Sequence, residues 1–528
     1  MKLSFLTILL FLHYSHCEDV ATSISGIEKL LIVEQNLINF LEGYINENEN
    51  KLYILKRKLD EYKEENAIGS RDTEKYVNNP LSSFSLIRRV ASDWTDIMKF
   101  INSAPGKLYY SQITKILKSP EFPNSEDIFE AVEGFLRIQS TYKLEPMEVM
   151  RGVINGVQYD HEMNSKDLFE LGTIAFSQGR HFYADEWLKA SSAKYDLENN
   201  KNYYFNFDKE TILEKAVENK IAQEDFFGAW RYVNQLLEVN PKSSKGLESL
   251  QNIDDTISYN YFNNITKKIK FFEEPTKPYD KMIIEMGCRD ELTSDFTSAL
   301  FCYYEKENHP FLKLAPIKVE IVNSENPFMV IFHEVISDKE IQILKDLSKT
   351  GLKRALVSNS TLNSSEKSNT RTAKLVWYDE RDHKIFSTLI QRSEDMSGLS
   401  LSTYDRFQVM NYGIGGHYSV HNDFFGIPKN VDGFQYTKFQ NGDRIATMLF
   451  YLSDVEQGGF TIFPNIFKAV KPKKGTCVFW YNLQPNCDGL IRSRHTACPV
   501  LVGNKWVMNI WIRSSGQMFK KPCPAGYQ

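Results

Sequence analysis

Four side chains near the C-terminal end of the chain form a pattern that suits metal chemistry. His421 and Asp423 lie two residues apart, His495 follows much later, and Lys505 comes shortly after His495. Two imidazoles and one carboxylate are the ligand set that holds iron(II) on one triangular face and leaves three coordination positions open. We therefore predict that His421, Asp423 and His495 bind iron(II) and that the site performs oxygen chemistry.

This ligand spacing requires β-strands. Side chains of a strand alternate between its faces, so His421 and Asp423 can reach the same ion if they lie on a strand. His495 must then come from another strand brought alongside, as in a jelly-roll barrel. An isolated His-x-Asp pair is usually an exposed strand or turn, so this pair alone is weak evidence for a metal site.

Lys505 follows the pair Gly503-Asn504, which predicts a hairpin turn between strands at residues 498–502 and 505–512. A buried ammonium group at this position needs an anionic partner. A bound dicarboxylate would supply that partner.

Six motifs occur in order around these residues. They are Val409-Met-Asn-Tyr-Gly-Ile-Gly-Gly416, His421-Asn-Asp423, Arg444-Ile-Ala-Thr-Met-Leu-Phe-Tyr451, Pro472-Lys-Lys-Gly-Thr476, Val478-Phe-Trp-Tyr-Asn-Leu483 and Cys498-Pro-Val-Leu-Val-Gly-Asn-Lys-Trp506. Together they closely resemble the α subunits of collagen prolyl 4-hydroxylase, which are iron(II)- and 2-oxoglutarate-dependent dioxygenases of the endoplasmic reticulum. A fainter similarity covers the whole chain.

The resemblance implies hydroxylation of proline at C4 in X-Pro-Gly sequences, with succinate and carbon dioxide released from 2-oxoglutarate. It implies that Lys505 pairs with the distal carboxylate of 2-oxoglutarate and that L-ascorbate serves as reductant. Four further residues match positions that line the cosubstrate pocket, and barrel packing is the alternative for each: Tyr412, Thr447, Tyr451 and Trp511.

Length and composition indicate several globular domains. A chain of 528 residues exceeds a single hydrophobic core, and 42% hydrophobic with 25% charged residues is an ordinary globular composition. The net charge of −5 gives no support for nucleic-acid binding.

Residues 1–17 are predicted to be a secretory signal peptide, because Met1-Lys2 precedes a short apolar run over residues 3–12. A buried N-terminal helix is the alternative. No later stretch is long enough to span a bilayer, so we expect a soluble protein of the endoplasmic reticulum lumen. The C-terminal residues are not a retrieval signal. The resemblance implies retention through protein disulfide isomerase as β subunit, in an assembly of two α and two β subunits.

The N-terminal half is predicted to be all-helical. Residues 18–142 are expected to form a helical dimerisation domain, and a heptad-like pattern over residues 24–66 favours a short coiled coil. Its apolar positions are interrupted between Tyr44 and Leu52. A helix that packs within its own domain is the alternative.

Residues 143–245 are predicted to form tetratricopeptide-like helix pairs. The resemblance identifies this segment as the peptide-substrate-binding domain, which holds proline-rich strands against aromatic side chains. Four clustered residues would contribute here, with core packing as the alternative: Phe176, His181, Phe182 and Tyr183. Lys215 and Glu218 stand where vertebrate subunits carry tyrosines, which bears on affinity and not on the chemistry.

Residues 246–326 carry few periodic signals and are predicted to be a partly ordered linker with a disulfide. From residue 327 strand patterns begin, so residues 327–528 are predicted to be a catalytic domain. We expect a double-stranded β-helix, or jelly roll, with flanking helices.

Six cysteines remain after the predicted leader, an even number that suits disulfides in an oxidising compartment. The resemblance implies that Cys288 pairs with Cys302 and Cys498 with Cys523. The other two, Cys477 and Cys487, are free thiols or an additional bridge. Three sequons for N-glycosylation are present, at Asn264, Asn359 and Asn363.

His417 lies near His421, but we interpret it as a surface or rim histidine and not as a fourth ligand. Three hypotheses remain for the whole chain. The first is a procollagen-proline 4-dioxygenase, the second is a prolyl 4-hydroxylase of another secreted protein, and the third is an inactive lumenal peptide-binding scaffold. The third is disfavoured because all four site residues are intact.

Overall fold

The computed structural model describes residues 23–120, 122–198, 207–262, 278–292, 301–359, 364–367, 370–426, 441–517 and 519–521. They form two compact units, one within Gly26–Asn124 and one within Ser125–Gln528. The first unit is helical, and the second contains further helices followed by β-sheets. The predicted succession of a helical N-terminal half and a β-rich C-terminal half is confirmed.

The first unit contains α1 (Ile24–Arg71), α2 (Thr73–Asn78), α3 (Pro80–Arg88), α4 (Trp94–Asn102) and α5 (Lys107–Leu117). Helix α1 is continuous for 48 residues, although its heptad-like pattern is interrupted. It packs against α4 through Tyr62 and Trp94, whose ring centres are 5.6 Å apart. The ammonium group of Lys51 donates to the carbonyls of Ile101 and Ser103, which ties the end of α4 to α1.

The second unit begins with α6 (Ser125–Tyr142), α7 (Pro146–Val149), a hairpin of β1 (Val153–Ile154) and β2 (Val157–Gln158), α8 (Ser165–Ser177), α9 (His181–Leu197), α10 (Lys209–Ala222), α11 (Phe226–Val239), α12 (Ser244–Phe262) and α13 (Tyr279–Cys288). Helix α8 starts at a capping box of Asn164 and Asp167. Gly172 of α8 allows Leu188 of α9 to approach its backbone closely, so these two helices form one packed pair.

The remaining elements are β3 (Cys302–Glu305), β4 (Ile317–Asn323), β5 (Met329–His333), α14 (Asp338–Lys349), β6 (Lys353–Arg354), β7 (Leu356–Asn359), β8 (Ser364–Lys367), β9 (Lys374–Tyr378), α15 (Lys384–Ser397), β10 (Phe407–Asn411), β11 (Tyr418–His421), β12 (Arg444–Tyr451), β13 (Gln457–Gly458), β14 (Thr461–Phe463), β15 (Lys468–Val470), β16 (Cys477–Tyr481), β17 (His495–Ala497), β18 (Val500–Val502) and β19 (Trp506–Arg513). Ser337 caps α14, because its side chain accepts from the backbone amide of Glu340.

A sheet of nine strands has the order β3-β4-β5-β16-β12-β19-β10-β9-β6, and a smaller sheet has the order β11-β17-β14-β15. Strands β3 and β4 fall within the predicted linker, yet β4 pairs with β5 along most of its length. The described part of the predicted linker, residues 246–326, therefore includes most of α12, all of α13 and two strands of the larger sheet. The other predicted boundaries stay predictions.

Alternation along the strands creates two different faces of the larger sheet. On β12, Met448 and Phe450 join the core beneath α14 and α15. Leu449 and Tyr451 point the other way and pack against the smaller sheet, where the hydroxyls of Tyr451 and Thr461 are 2.7 Å apart. The two sheets thus face each other and enclose a largely apolar interior.

The predicted hairpin at Gly503-Asn504 is wrong. The turn is present, with Gly503 at φ +109°, but the two strands that it connects do not pair with each other. Strand β18 pairs with β13, whereas β19 pairs with β10 and β12 of the larger sheet. The turn moves the chain between sheets and thereby delivers Lys505 to the interior.

Among the described helices, none is both long and apolar enough to cross a membrane. The predicted signal peptide, residues 1–17, lies outside the described residues, as do Asn264, Asn363 and Cys523. Asn359 is the last residue of β7. The three glycosylation sites stay predictions.

Candidate metal centre and cosubstrate site

Two adjacent strands bring the predicted histidine ligands together. His421 ends β11 and His495 begins β17, and the two residues lie directly opposite each other in the antiparallel pairing. Asp423 follows two residues after the end of β11. The ligand atoms of all three side chains lie within 4.8 Å of one another.

Hydrogen bonds fix both imidazole rings. Nδ1 of His421 is 2.8 Å from the carbonyl of Ser419, and Nδ1 of His495 is 3.0 Å from the carbonyl of Ser493. A carbonyl only accepts, so each Nδ1 carries a proton, and in the neutral tautomer that this bond selects the lone pair is on Nε2. Both Nε2 atoms point at Asp423, at 3.7 Å from His421 and 3.6 Å from His495.

The protonation states of these residues suit a cation. Burial, followed by the neighbouring His495, lowers the pKa of His421 to about 3. Burial opposes ionisation of Asp423, but His495, His421 and Arg444 outweigh it and lower the pKa of Asp423 to about 2. Near neutral pH the site therefore offers neutral His421 and ionised Asp423, the ligand forms that bind a metal. The donor set fits iron(II).

Thr447 was predicted to line the cosubstrate pocket, but it contacts a metal ligand directly. Its hydroxyl donates to Oδ2 of Asp423 at 2.7 Å, and the amide of Asn482 donates to the Thr447 oxygen at 2.7 Å. All three residues are buried. This chain of hydrogen bonds fixes the carboxylate plane of Asp423, which is how groups around a metal site orient its ligands.

Aromatic rings surround the ligands, and sequence reasoning missed their role. Tyr418 stacks on His421 at 3.7 Å between ring centres, and the guanidinium of Arg371 lies 4.6 Å from the Tyr418 ring. Trp480 contacts His495 edge-on at 4.8 Å. Only the cross-strand register brings Tyr418 and Arg371 together, through an isolated bridge between them.

Lys505 is enclosed in the same interior. Its side chain is 1% exposed, and its ammonium group donates to the carbonyl of Gly459 at 2.6 Å. The rings of Tyr412 and Tyr451 lie 5.1 and 6.0 Å from it. Among the described residues Lys505 forms no ion pair, and burial lowers its pKa to about 7. A buried cation without a carboxylate partner is a site for an anion.

The other predicted pocket residues surround this interior in different ways. Tyr412 and Tyr451 are buried on its wall. Trp511 lies opposite Thr447 in the pairing of β12 and β19, and its ring is 4.0 Å from the guanidinium of Arg444. The indole nitrogen of Trp511 is buried without a hydrogen-bond partner among the described residues.

The predicted disulfide pairing is wrong. Cys288 is bonded to Cys498, with 5.6 Å between their Cα atoms, and Cys302 is a free, exposed thiol. The reason is the position of α13. Gly287, next to Cys288, packs against Ile462 of β14, which brings the end of the helix beside Cys498. Cys477 is a buried free thiol.

The predicted aromatic cluster lies on the helix pairs. Phe176 contacts the ring of His181 at 5.5 Å, and Lys215 reaches over Phe176 at 5.1 Å from its ring centre. Phe182 and Tyr183 contact each other at 5.4 Å. Each of the three predicted aromatic residues is half-buried. The cluster combines packing with a partly open face.

His417 is not one of the grouped ligands. Its half-buried position is compatible with the predicted rim, and its Nδ1 lies 2.9 Å from the hydroxyl of Thr372. Burial lowers its pKa well below the usual value.

Comparison with known proteins covers both halves of the chain. Residues 23–156 match the family model for the prolyl 4-hydroxylase alpha-subunit N-terminal region, and residues 407–513 match that of the 2OG-Fe(II) oxygenase superfamily.

Whole-length relatives are also similar. Prolyl 4-hydroxylase subunit alpha-1 of Homo sapiens is 33% identical over 516 residues, which covers 95% of each chain. Subunit alpha-2 of Caenorhabditis elegans is 31% identical over 514 residues, covering 96% of this chain and 93% of the relative. A solved viral collagen prolyl hydroxylase of Paramecium Bursaria Chlorella virus-1, in its 2OG complex, has 22% identity and a TM-score of 0.29, and covers 35% of this chain and 95% of its own.

Proposed function

Because the chain belongs to the prolyl 4-hydroxylase α-subunit family, we propose that it hydroxylates proline at C4 in collagen-like X-Pro-Gly sequences. The convergence of His421, Asp423 and His495 in the interior that also holds Lys505 is the observation that carries this proposal. Bound iron(II) and 2-oxoglutarate supply the oxygen chemistry, in which succinate and carbon dioxide are released and L-ascorbate acts as reductant.

The three ligands differ in charge. Each histidine directs its Nε2 at the metal site, because a backbone carbonyl bonded to its Nδ1 orients the ring. Asp423 supplies the negative charge, and Thr447 fixes the direction of its lone pairs. His421, Asp423 and His495 would hold iron(II), which would supply the oxygen chemistry.

Lys505 would hold the distal carboxylate of 2-oxoglutarate. Its ammonium group is buried, and the carbonyl of Gly459 uses only one of its three donors. Tyr412 and Tyr451 exclude water around it, which strengthens the charge interaction. Trp511 adds an unpartnered indole donor to the same sheet face.

The helix pairs would bind the peptide. Consecutive packing of α8 with α9 and of α10 with α11 supports a tetratricopeptide-like arrangement. Phe176, Phe182 and Tyr183 offer half-buried aromatic surface of the kind that holds proline-rich strands. The two facing sheets likewise support the jelly-roll interpretation of the C-terminal half.

A second substrate class has specific support. Lys215 covers part of Phe176 and pairs with Glu218, so charged groups border the aromatic cluster. Such a border suits a proline-containing strand that also carries charge. A secreted protein other than collagen is therefore the alternative substrate.

A second α subunit and protein disulfide isomerase are the proposed partners. Helix α1 exposes apolar side chains along its length, among them Leu31, Ile32, Leu41 and Leu52. A long helix with an exposed apolar face is what a coiled-coil partner covers. The Cys288–Cys498 bridge suits an oxidising compartment. We place the assembly in the endoplasmic reticulum lumen.

The test is to co-express the full chain with protein disulfide isomerase and supply iron(II), 2-oxoglutarate, ascorbate and a Pro-Pro-Gly repeat peptide. We expect succinate release coupled to 4-hydroxyproline by mass spectrometry. Succinate with an unmodified peptide would point to the alternative substrate class. Neither product, from folded and iron-loaded protein, would overturn the enzyme assignment.

A further inference from the structure

Helix α6 lies against the loop that leads to the first metal ligand. A Cβ on Gly415 of the loop would overlap the backbone of Gly134 in α6, and a Cβ on Gly134 would overlap the carbonyl of Ile414 in the same loop. Gly415 also has φ +57°, a conformation that other residues rarely adopt. The loop therefore rests directly on the helix backbone, six residues before His421.

Arg137, one turn further along α6, bonds to this loop. Its guanidinium donates to the carbonyl of Gly415 at 2.8 Å and lies 3.5 Å from the hydroxyl of Thr372. The same hydroxyl accepts from the backbone amide of His417 at 3.1 Å. Arg137 and Thr372 together fix both ends of the segment that enters β11, the strand of His421.

The C-terminal end of α6 reaches the backbone at Pro499 and Gly459, next to the buried Lys505. The hydroxyl of Tyr142 donates to the carbonyl of Pro499 at 2.6 Å, and the amide of Gly459 donates to that same carbonyl at 3.1 Å. The carbonyl of Gly459 in turn accepts from Lys505 at 2.6 Å. Tyr142 is 6% exposed, so water does not replace its hydrogen bond easily.

The opposite side of α6 contacts the helix pairs. The indole of Trp187 donates to Gln139 at 2.8 Å, and the rings of Phe135 and Trp187 meet edge-on at 5.6 Å. Arg180 pairs with Glu133 at 2.9 Å. Helix α6 thus packs against the helix pairs on one side and contacts the candidate site on the other.

We propose that Arg137 and Tyr142 are positioning residues for the two halves of the active site. Arg137 holds the entry to the strand of His421, and Tyr142 holds the turn whose carbonyl orients Lys505. This inference rests on the proposed function. It assigns catalytic-site roles to a helix outside the segment that matches the oxygenase family.

The test uses the full chain co-expressed with protein disulfide isomerase, and Mn(II) as an oxygen-stable probe of the metal site. For Tyr142→Phe we expect the Kd for 2-oxoglutarate, measured by calorimetry on Mn(II)-loaded protein, to rise about 3- to 10-fold, the effect of one lost hydrogen bond. The Kd for Mn(II) should stay within about twofold of the wild type by the same scale. Tyr378→Phe is the control, because it also removes a tyrosine bond to a backbone carbonyl, that of Leu347.

For Arg137→Met we expect the reverse pattern. The Kd for Mn(II), measured by electron paramagnetic resonance of the free ion, should rise about 3- to 10-fold. The Kd for 2-oxoglutarate at saturating Mn(II) should change less, and Arg137→Lys should restore much of the metal affinity. Arg392→Met is the control, since Arg392 also donates to a backbone carbonyl, that of Val335.

The inference requires that Tyr142→Phe mainly weakens 2-oxoglutarate binding and that Arg137→Met mainly weakens Mn(II) binding. If both raise both Kd values in proportion to a fall in Tm, the residues only stabilise the fold and the inference is overturned. Unchanged Kd values in both variants would overturn it equally. Wild-type protein that binds neither Mn(II) nor 2-oxoglutarate would instead overturn the proposed function, and this inference with it.

Discussion

The hydroxyl of Thr447 donates a 2.7 Å hydrogen bond to the same carboxylate oxygen of Asp423 that lies 3.6 Å from Nε2 of His495. The direction of that oxygen's remaining lone pair is therefore fixed before any ion binds. Asn482 holds the hydroxyl from the other side. An orienting bond to a metal ligand typically changes metal affinity by 10- to 100-fold.

Thr447→Val keeps the side-chain volume and removes this bond. We expect the Kd for Mn(II) to rise by about 10- to 100-fold with the secondary structure unchanged. Equilibrium dialysis with metal analysis measures the effect. Thr388→Val makes the same change on the exposed side of α15, and metal affinity equal in both variants would remove Thr447 from the site.

His421→Ala should abolish turnover. One neutral imidazole of the three grouped ligands is lost, and the remaining His495 and Asp423 cannot hold the ion on one face. Succinate release and bound metal per chain are the measurements. His161→Ala changes an exposed histidine and should leave both at wild-type values. Full activity in His421→Ala would refute the metal assignment.

The affinity for 2-oxoglutarate should depend on pH through Lys505. Burial lowers the pKa of Lys505 to about 7, so the free site is charged below this pH and neutral above it. The carboxylate binds the charged form. The Kd should therefore be constant below pH 7 and rise above it by up to about tenfold per pH unit.

Calorimetry of Mn(II)-loaded protein in buffers of different ionisation enthalpy measures this dependence and the accompanying proton uptake. Lys505→Arg stays charged throughout and should lose the pH dependence. Lys505→Ala should raise the Kd at pH 7 by at least about 30-fold, the lower range for loss of a buried charge partner. A wild-type Kd that is flat between pH 6 and 9 would contradict the role of Lys505.

Changes in the aromatic cluster should alter peptide affinity alone. Phe176→Ala should raise the KM for a Pro-Pro-Gly repeat peptide about 3- to 10-fold, and Lys215→Tyr should lower it by about twofold or more, because an aromatic contact contributes about 0.5–1.5 kcal/mol. The KM for 2-oxoglutarate serves as the internal reference. Phe227→Ala removes an exposed phenylalanine of α11 and should change neither KM. If neither Phe176→Ala nor Lys215→Tyr changes the KM for the peptide, the peptide binds elsewhere.

Peptide mapping without reduction should yield a linked fragment that contains Cys288 and Cys498. The alternative fragment joining Cys288 to Cys302 would restore the pairing expected from the sequence. Replacing both bridged cysteines by serine should lower the free energy of unfolding by about 2–5 kcal/mol. Cys302→Ser, at an exposed free thiol, is the matched control and should have little effect.

Sequence reasoning identified the chemistry of the site because its residues stand in motifs that can be recognised in order along the chain. His421, Asp423, His495 and Lys505 are recognisable without knowing which strands pair. It did not find Tyr418 stacked on His421, whose position against Arg371 depends on an isolated bridge. Contacts that arise only from register between distant segments leave no periodic signal in the chain.

The disulfide shows the same limit. Cys288 and Cys498 are separated by 210 residues, and only the packing of α13 against β14 makes them neighbours. The hairpin expected at Gly503 failed because turn residues predict a reversal and not the identity of the paired strands. Helix caps such as Ser337 were predictable because the cap and its bonds span three residues.

The last described strand lies in the middle of the larger sheet. Strand β19 is inserted between β12 and β10, and no later described strand joins that sheet. During synthesis β12 and β10 therefore keep these edges unpaired until residues 506–513 have emerged. The larger sheet therefore cannot be completed before β19 is synthesised. Removal of residues 506–513 would delete a central strand of the sheet and not an edge strand.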